Sequence, residues 1–216
     1  RFMLGRGLVA VDPAHGVNAP KKSKPLPYFV READMDCLLD DLEFPDSFAG
    51  RRDKTIISML YSTGMRAAEI LGLDLADVDL RNAMVSVVGK RNKQRLIPLL
   101  PELVREVKDY MLARESALEG KSGDSALFVE ERSGRRVAYP ELRAVVRDAL
   151  SRVTIQSKRS PHVLRHSFAT SMLNNSADLQ SVKELLGHSS LKTTAIYTHT
   201  TFEELKKLYN QAHPRA

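Results

Sequence analysis

The stretch from Ser160 to Thr200 constrains this chain more than any other, holding four of its six histidines together with Tyr197. Ser160 and Pro161 are residue types suited to an N-cap and a first helical position, which puts His162 in the first turn of a helix. Arg165 follows three residues later on the same helical face. A second helix is predicted over about 178–186, stopped by Gly187. His188 comes directly after that stop, and Tyr197 follows on a further short helical segment. A helix N-terminus beside a guanidinium suits a phosphate group. Two histidines, an arginine and a tyrosine in this order suggest a tyrosine attacking a phosphodiester. That chemistry needs a second arginine and an acid from elsewhere in the chain.

A metal reading of the same residues is weaker. His162 and His166 have the spacing of paired ligands on a helix. The chain holds one cysteine, Cys37, and no glutamate lies between the two histidines, so no metal is expected. That single cysteine also excludes an internal disulfide framework and fits a reducing compartment. No apolar run approaches membrane-spanning length and no signal peptide is visible, so the expectation is a cytoplasmic protein with no membrane partner. Lys and Arg number 33 against 27 Asp and Glu, a formal charge of +6 and a pI near 9.5, which points to a polyanionic partner. The apolar fraction of 43% is ample for a packed core.

The chain opens at Arg1 rather than Met and is expected to be a fragment, with residues 1–10 the tail of a preceding helix. Prolines 13, 20, 25 and 27 and lysines 21, 22 and 24 make residues 12–27 an extended basic linker. Lys21, Lys22 and Lys24 are candidates to lie along a phosphate backbone. The division is therefore 1–27 as tail and linker and 28–216 as one domain. Apolar periodicity predicts helices over 31–42, 48–62, 101–118, 140–153 and 201–212. In the second of these, Ile56, Ile57, Met59, Leu60 and Tyr61 are the expected core. Gly64 then breaks the chain, and a new helix carries Arg66 with Glu69 one turn on. Such a pair is usually a surface bridge of a few tenths of a kcal/mol. Apolar Met65, Ile70, Leu71 and Leu73 around it favour a partly buried arginine oriented by Glu69.

From Asn82 the period changes to two. Strands are predicted over 84–88 and 95–99 around a charged turn at 89–94, with a further short strand at 126–129. Lys90, Arg91, Lys93 and Arg95 make this hairpin either a solvated turn or a finger entering a nucleic-acid groove. The whole is mainly α with a small antiparallel β-sheet.

Four runs in this order, TGMRAAEI, VVGKRNKQRLIPL, HVLRHSFAT and LLGHSSLKTTAIYTH, closely resemble the catalytic domain of the tyrosine recombinases (phage integrase family), among them the Xer-like bacterial members. The resemblance spans about 24–209. It implies site-specific cleavage and rejoining of double-stranded DNA through a covalent 3′-phosphotyrosyl intermediate, with no metal, nucleotide or other cofactor. It also implies a preceding helical DNA-clamping domain, and assembly of a homo-oligomer, a tetramer at the synapse, from a fragment monomeric on its own. In the family's pattern Arg66 and Arg165 hold the non-bridging oxygens and His188 joins them. His162 assists proton transfer at the nucleophile Tyr197, and Lys90 protonates the leaving 5′-oxygen, with Glu69 behind Arg66. Lys93 rivals Lys90, although only Lys90 directly follows Gly89. Arg91 stands where relatives often carry glycine, which stiffens the tip. An inactive DNA-binding module and a type IB topoisomerase-like relaxing enzyme are the alternatives, and chromosome-dimer resolution or mobile-element integration are both open as biological roles. The apolar stripe Phe202, Leu205, Leu208 and Tyr209 in segment 202–216 is expected either to pack on its own domain or to dock on a neighbouring protomer.

Overall fold

The structure is a computed structural model that describes residues 2–10, 28–89, 94–119, 125–187 and 199–215, the last with backbone alone over 199–204. Its centre is helix α3 (Phe48–Thr63), in which every residue from Thr55 to Thr63 is buried. Ser47 starts it, the hydroxyl accepting from the Gly50 amide at 3.1 Å. A helix buried on all sides must satisfy its own polar groups. Thr55 and Thr63 donate back to the carbonyls of Arg51 and Met59, and Ser58 donates to Glu106. The predicted core residues Ile56, Ile57, Met59, Leu60 and Tyr61 have no exposed surface. Around α3 pack α5 (Pro101–Ala117), α6 (Tyr139–Ser151) and α7 (Pro161–Asn174).

The preceding helix divides into α2 (Glu32–Asp36) and a π-helical turn, Cys37–Asp41, after a short α1 (Phe2–Gly5). Following α3 come α4 (Ala67–Leu71), a 3₁₀ turn, and strands β1 (Val78–Asp79), β2 (Met84–Val88) and β3 (Gln94–Pro98). The strands form one antiparallel sheet in the order β1-β2-β3. Its register sets Val85 opposite Ile97 and Val87 opposite Arg95, and these four side chains are buried. β1 was not foreseen. Residues 126–129, predicted as a strand, form only isolated bridges, at Ala126 and Val129. They are buried nonetheless, because side chains take carbonyls that a strand would offer to a neighbour. Arg114 donates to Ala126, Tyr110 to Leu127 and Arg52 to Val129.

Helix α7 joins two apolar clusters. Val163 and Leu164 belong to the larger one around α3, while Phe168 and Met172 face a smaller one. That smaller cluster includes Val182 and Leu185 of α8 (Leu179–Leu185) and Leu205, Tyr209 and Ala212 of α9 (His199–Ala212). In the single chain, then, α9 seats on its own domain. The Tyr209 hydroxyl and the His213 Nε2 both reach the Ser62 carbonyl, at 2.8 and 2.9 Å. His213 Nδ1 accepts from the Arg215 amide, so these partners select the neutral tautomer protonated on Nε2. Arg215 itself pairs with Asp40 and reaches Asp36 and Glu102.

Burial, with the nearby Arg215 charge adding to it, pulls His213 down to about 4. The unfolded histidine, with its ordinary value near 6.5, binds a proton that the folded one refuses. This contribution to stability is complete above about pH 6.5 and is lost as pH falls toward 4. Urea denaturation in steps across that window should show stability falling by up to about 1.4 kcal/mol per pH unit. The component should vanish in His213→Gln. Equal slopes for the two proteins would show that the ring is not held neutral against Ser62.

Candidate phosphate-binding site

The site is built where α3 stops. Gly64 ends the helix at φ +61°, and a Cβ there would stand 2.4 Å from the Phe168 ring. The chain turns immediately into α4, with Arg66 as its N-cap residue and Glu69 in the first turn. A carboxylate at this position accepts a free amide and complements the helix dipole. One oxygen of Glu69 accepts from the Arg66 amide at 2.8 Å, and the other from the Arg66 guanidinium at 2.7 Å. The pair is thus an orienting contact, with the Glu69 side chain only 4% exposed.

Arg95 completes it. From β3, its Nη1 and Nη2 donate to the two Glu69 oxygens at 3.0 and 2.9 Å. Each carboxylate oxygen therefore accepts two donors. Burial alone would raise the Glu69 carboxyl, but the hydrogen bonds from Arg95 and the Arg66 amide, with the arginine charges, outweigh it and hold the group at about 2.

The arginines also meet the end of α8. The last carbonyls of a helix lack internal partners and carry its negative pole. Here three successive ones each face a different arginine. Arg95 Nε donates to Leu185 at 2.9 Å, Arg165 Nη2 to Leu186 at 2.7 Å, and Arg66 Nη2 approaches Gly187 at 3.5 Å. Arg165 Nη1 also donates to the Gly64 carbonyl at 2.6 Å. Gly187 lies at φ +62°, and a Cβ on it would press on the Arg95 guanidinium at 3.1–3.3 Å. Burial, followed by the Arg66 charge, lowers Arg165 to about 10, so it remains a cation at neutral pH.

Of the predicted residues, Arg66, Glu69 and Arg165 come together. His162 is exposed in the first turn of α7, while burial and His162 together lower the half-buried His166. Ser160 is the N-cap residue as expected, without a capping bond from its side chain. Lys21, Lys22, Lys24, Lys90, Arg91, Lys93, His188 and Tyr197 lie outside the described residues. Arg95 requires correction. Expected among the DNA-contacting residues of the hairpin, it is 8% exposed and turned inward. The reason is register: with Ile97 facing the core and Leu96 facing out, residue 95 faces the core as well. That alternation was the signal available in the sequence, and the basic composition of the turn obscured it. Tyr209, the other tyrosine near the C-terminus, is fully buried, and its burial pushes its hydroxyl well above the ordinary range. It is a packing residue.

The model of the phage integrase family matches residues 29–204. Tyrosine recombinase XerC of Shewanella sp. (strain W3-18-1) is 40% identical over 217 residues, covering all of this chain and 69% of the relative. Tyrosine recombinase XerC of Chlorobaculum parvum is 39% identical, with all of this chain and 70% of the relative covered. Among solved structures, the XerA recombinase superposes with a TM-score of 0.66 at 32% identity, covering 88% of this chain and 66% of that one. The XerH site-specific recombinase bound to its difH substrate gives 0.67 at 26% identity, covering 86% and 55%. This chain belongs to the phage integrase family, and its fold is that of a tyrosine-recombinase catalytic domain. It spans about two thirds of the length of the XerC relatives. Among the described residues no helix is long and apolar enough to cross a membrane.

Glu69 provides a stability test of the site. A carboxyl depressed to about 2 stabilises the fold fully above its unfolded value near 4.5, and the contribution is lost as pH falls through 2. Glu69→Gln should therefore lower the unfolding free energy at pH 7 by about 3 kcal/mol. It should also flatten the acid limb between those two values. Chemical denaturation of both proteins across that range measures it, and a loss below about 0.5 kcal/mol would show that the buried pairing contributes nothing net.

Proposed function

We propose that this protein is a site-specific DNA recombinase that cleaves and rejoins double-stranded DNA through a 3′-phosphotyrosyl intermediate. The observation that carries this reading is the convergence of Arg66 and Arg165 on the end of α8, immediately before His188. Two guanidiniums from separate elements are already gathered around oxygen atoms. Arg66 keeps about 30% of its side chain open to solvent, where a phosphate can approach. Guanidiniums so placed neutralise the charge that builds as phosphorus becomes five-coordinate.

In this mechanism the Tyr197 oxygen attacks phosphorus and loses its proton with help from His162. The bond from phosphorus to the 5′-oxygen breaks, Lys90 gives that oxygen a proton, and the 3′-phosphate remains on tyrosine. His188 adds a hydrogen bond to the phosphate. Attack by another 5′-hydroxyl reverses the steps, and since one phosphodiester is exchanged for another, no nucleotide is consumed. Lys21, Lys22, Lys24, Arg91 and Lys93 would contact the DNA backbone, and exchange between two sites would gather four protomers, with α9 leaving its own domain for a neighbour's. The protein would act in the cytoplasm, on the nucleoid.

Denaturing gels of reactions with a pool of nicked duplexes of randomised sequence test the reading. Wild type should become covalently attached to a DNA strand, whereas Tyr197→Phe should retain binding and form no adduct. Lys90→Ala should be slower by roughly 10²–10⁴-fold on normal DNA. It should recover much of that loss when the leaving 5′-oxygen is replaced by sulfur, which needs no proton to depart. An adduct formed by Tyr197→Phe at the wild-type rate would remove that residue as nucleophile. Equal impairment of Lys90→Ala on both substrates would remove the lysine as the acid.

A further inference from the structure

We propose that Arg95 is a positioning residue of the recombination site, the buried cation that fixes Glu69 against Arg66 and the end of α8 against both. The proposal rests on the recombinase reading above. Arg95 has three directed contacts and all point at parts of the site. Nη1 and Nη2 hold the two Glu69 oxygens, and Nε holds the Leu185 carbonyl. Arg66 also meets both Glu69 and the α8 terminus, but its approach to Gly187 is long at 3.5 Å.

The geometry separates this role from simple packing. A core cation at this place needs one carboxylate to neutralise it, and any orientation of the pair would serve. Instead the planar fork of Arg95 matches both oxygens at once, leaving each oxygen one further acceptor direction. Those directions are taken by the guanidinium and the amide of Arg66. Removing Arg95 frees the carboxylate to rotate, and the arginine it steers goes with it. The same residue stands against Gly187 so closely that a methyl group there would displace it. Arg95 is also paired across the sheet with Val87, three residues before Lys90. One side chain thereby ties β3, the carboxylate that orients the first arginine, and the C-terminal end of α8 together.

The test measures adduct formation on the same randomised nicked duplexes for wild type, Arg95→Met, Arg95→Lys, Glu69→Gln and the Arg95→Met/Glu69→Gln double variant. Arg95→Met should slow the reaction on the order of 10–100-fold, the range for groups that act by orienting another ligand. DNA binding should fall far less, and Arg95→Lys should recover part of the rate. The double variant should be impaired much less than the product of the single losses. The pH profile gives a readout that packing alone does not move. The groups facing Glu69 are Arg66 from α4, Arg95 from β3 and Arg165 from α7. With Arg95 gone, burial of the carboxyl is opposed mainly by Arg66, so Glu69 takes up a proton at higher pH and releases Arg66. The acid limb of Arg95→Met should therefore lie at higher pH than that of wild type and the double variant, which share the limb set by the other proton-transferring groups.

A wild-type rate for Arg95→Met, multiplicative losses in the double variant, or an unchanged pH profile would each overturn the proposal. Melting temperatures establish that the variants are folded. If Arg95→Met melts below the assay temperature, Arg95→Lys is judged by the same profile and the same cycle with Glu69→Gln. Absence of any adduct from wild type would instead overturn the recombinase reading and this inference with it, a result distinct from failure of Arg95 alone.

Discussion

The Glu69 carboxylate, with four donors on its two oxygens, is the contact on which the rest of the site depends. A buried ion pair is not in itself a source of stability, since desolvating two charges can cancel their attraction. It is favourable here because the geometry is complete. Two arginines and a backbone amide saturate the acceptor positions, and the helix dipole of α4 adds to them. The low-lying carboxyl is the net result, with the favourable contacts exceeding the penalty of burial.

The same arrangement solves a problem at the other end of the site. Helix α8 has seven residues, too few to be stable alone. It ends with open carbonyls just before the segment expected to carry two of the reacting groups. Arginines from β3 and α7 bond the carbonyls of Leu185 and Leu186, and Arg66 approaches that of the following Gly187. A phosphate would meet two of those guanidiniums already held close together, although like charges repel. Glu69 and the negative pole of α8 make that crowding tolerable before any DNA arrives. The crowded guanidiniums are therefore stabilised by the Glu69 carboxylate and by the carbonyls at the end of α8.

Much of this was legible in the sequence. The apolar period gave α3 and its core residues, Gly64 and Gly187 marked the two breaks, and Pro161 marked the start of α7. Glu69 could be read as an orienting acid because Ile70 and Leu73 placed its turn near the core. Arg95 could not be read in the same way, since its partner is 26 positions away and the pairing exists only once β3 is in register. The composition of the turn, rich in lysine and arginine, argued for an exposed residue, and alternation along RLI argued for a buried one. Alternation prevailed because Ile97 must face the core. Residues 126–129 failed in the opposite direction. Their apolar run was right about burial and wrong about strand pairing, since donors from Arg52, Tyr110 and Arg114 cannot be foreseen from local pattern.

The most direct measurement is the titration of Glu69 itself, by carbon NMR of the side-chain carboxyl in selectively labelled protein. With both arginines bound to it, the group should remain ionised as pH is lowered and titrate only near 2 or when the fold is lost. Arg95→Met should move that midpoint upward. A carboxyl that titrates near its ordinary value of about 4.5 in the native protein would contradict the four-donor arrangement, and with it the dependence of the phosphate site on Glu69.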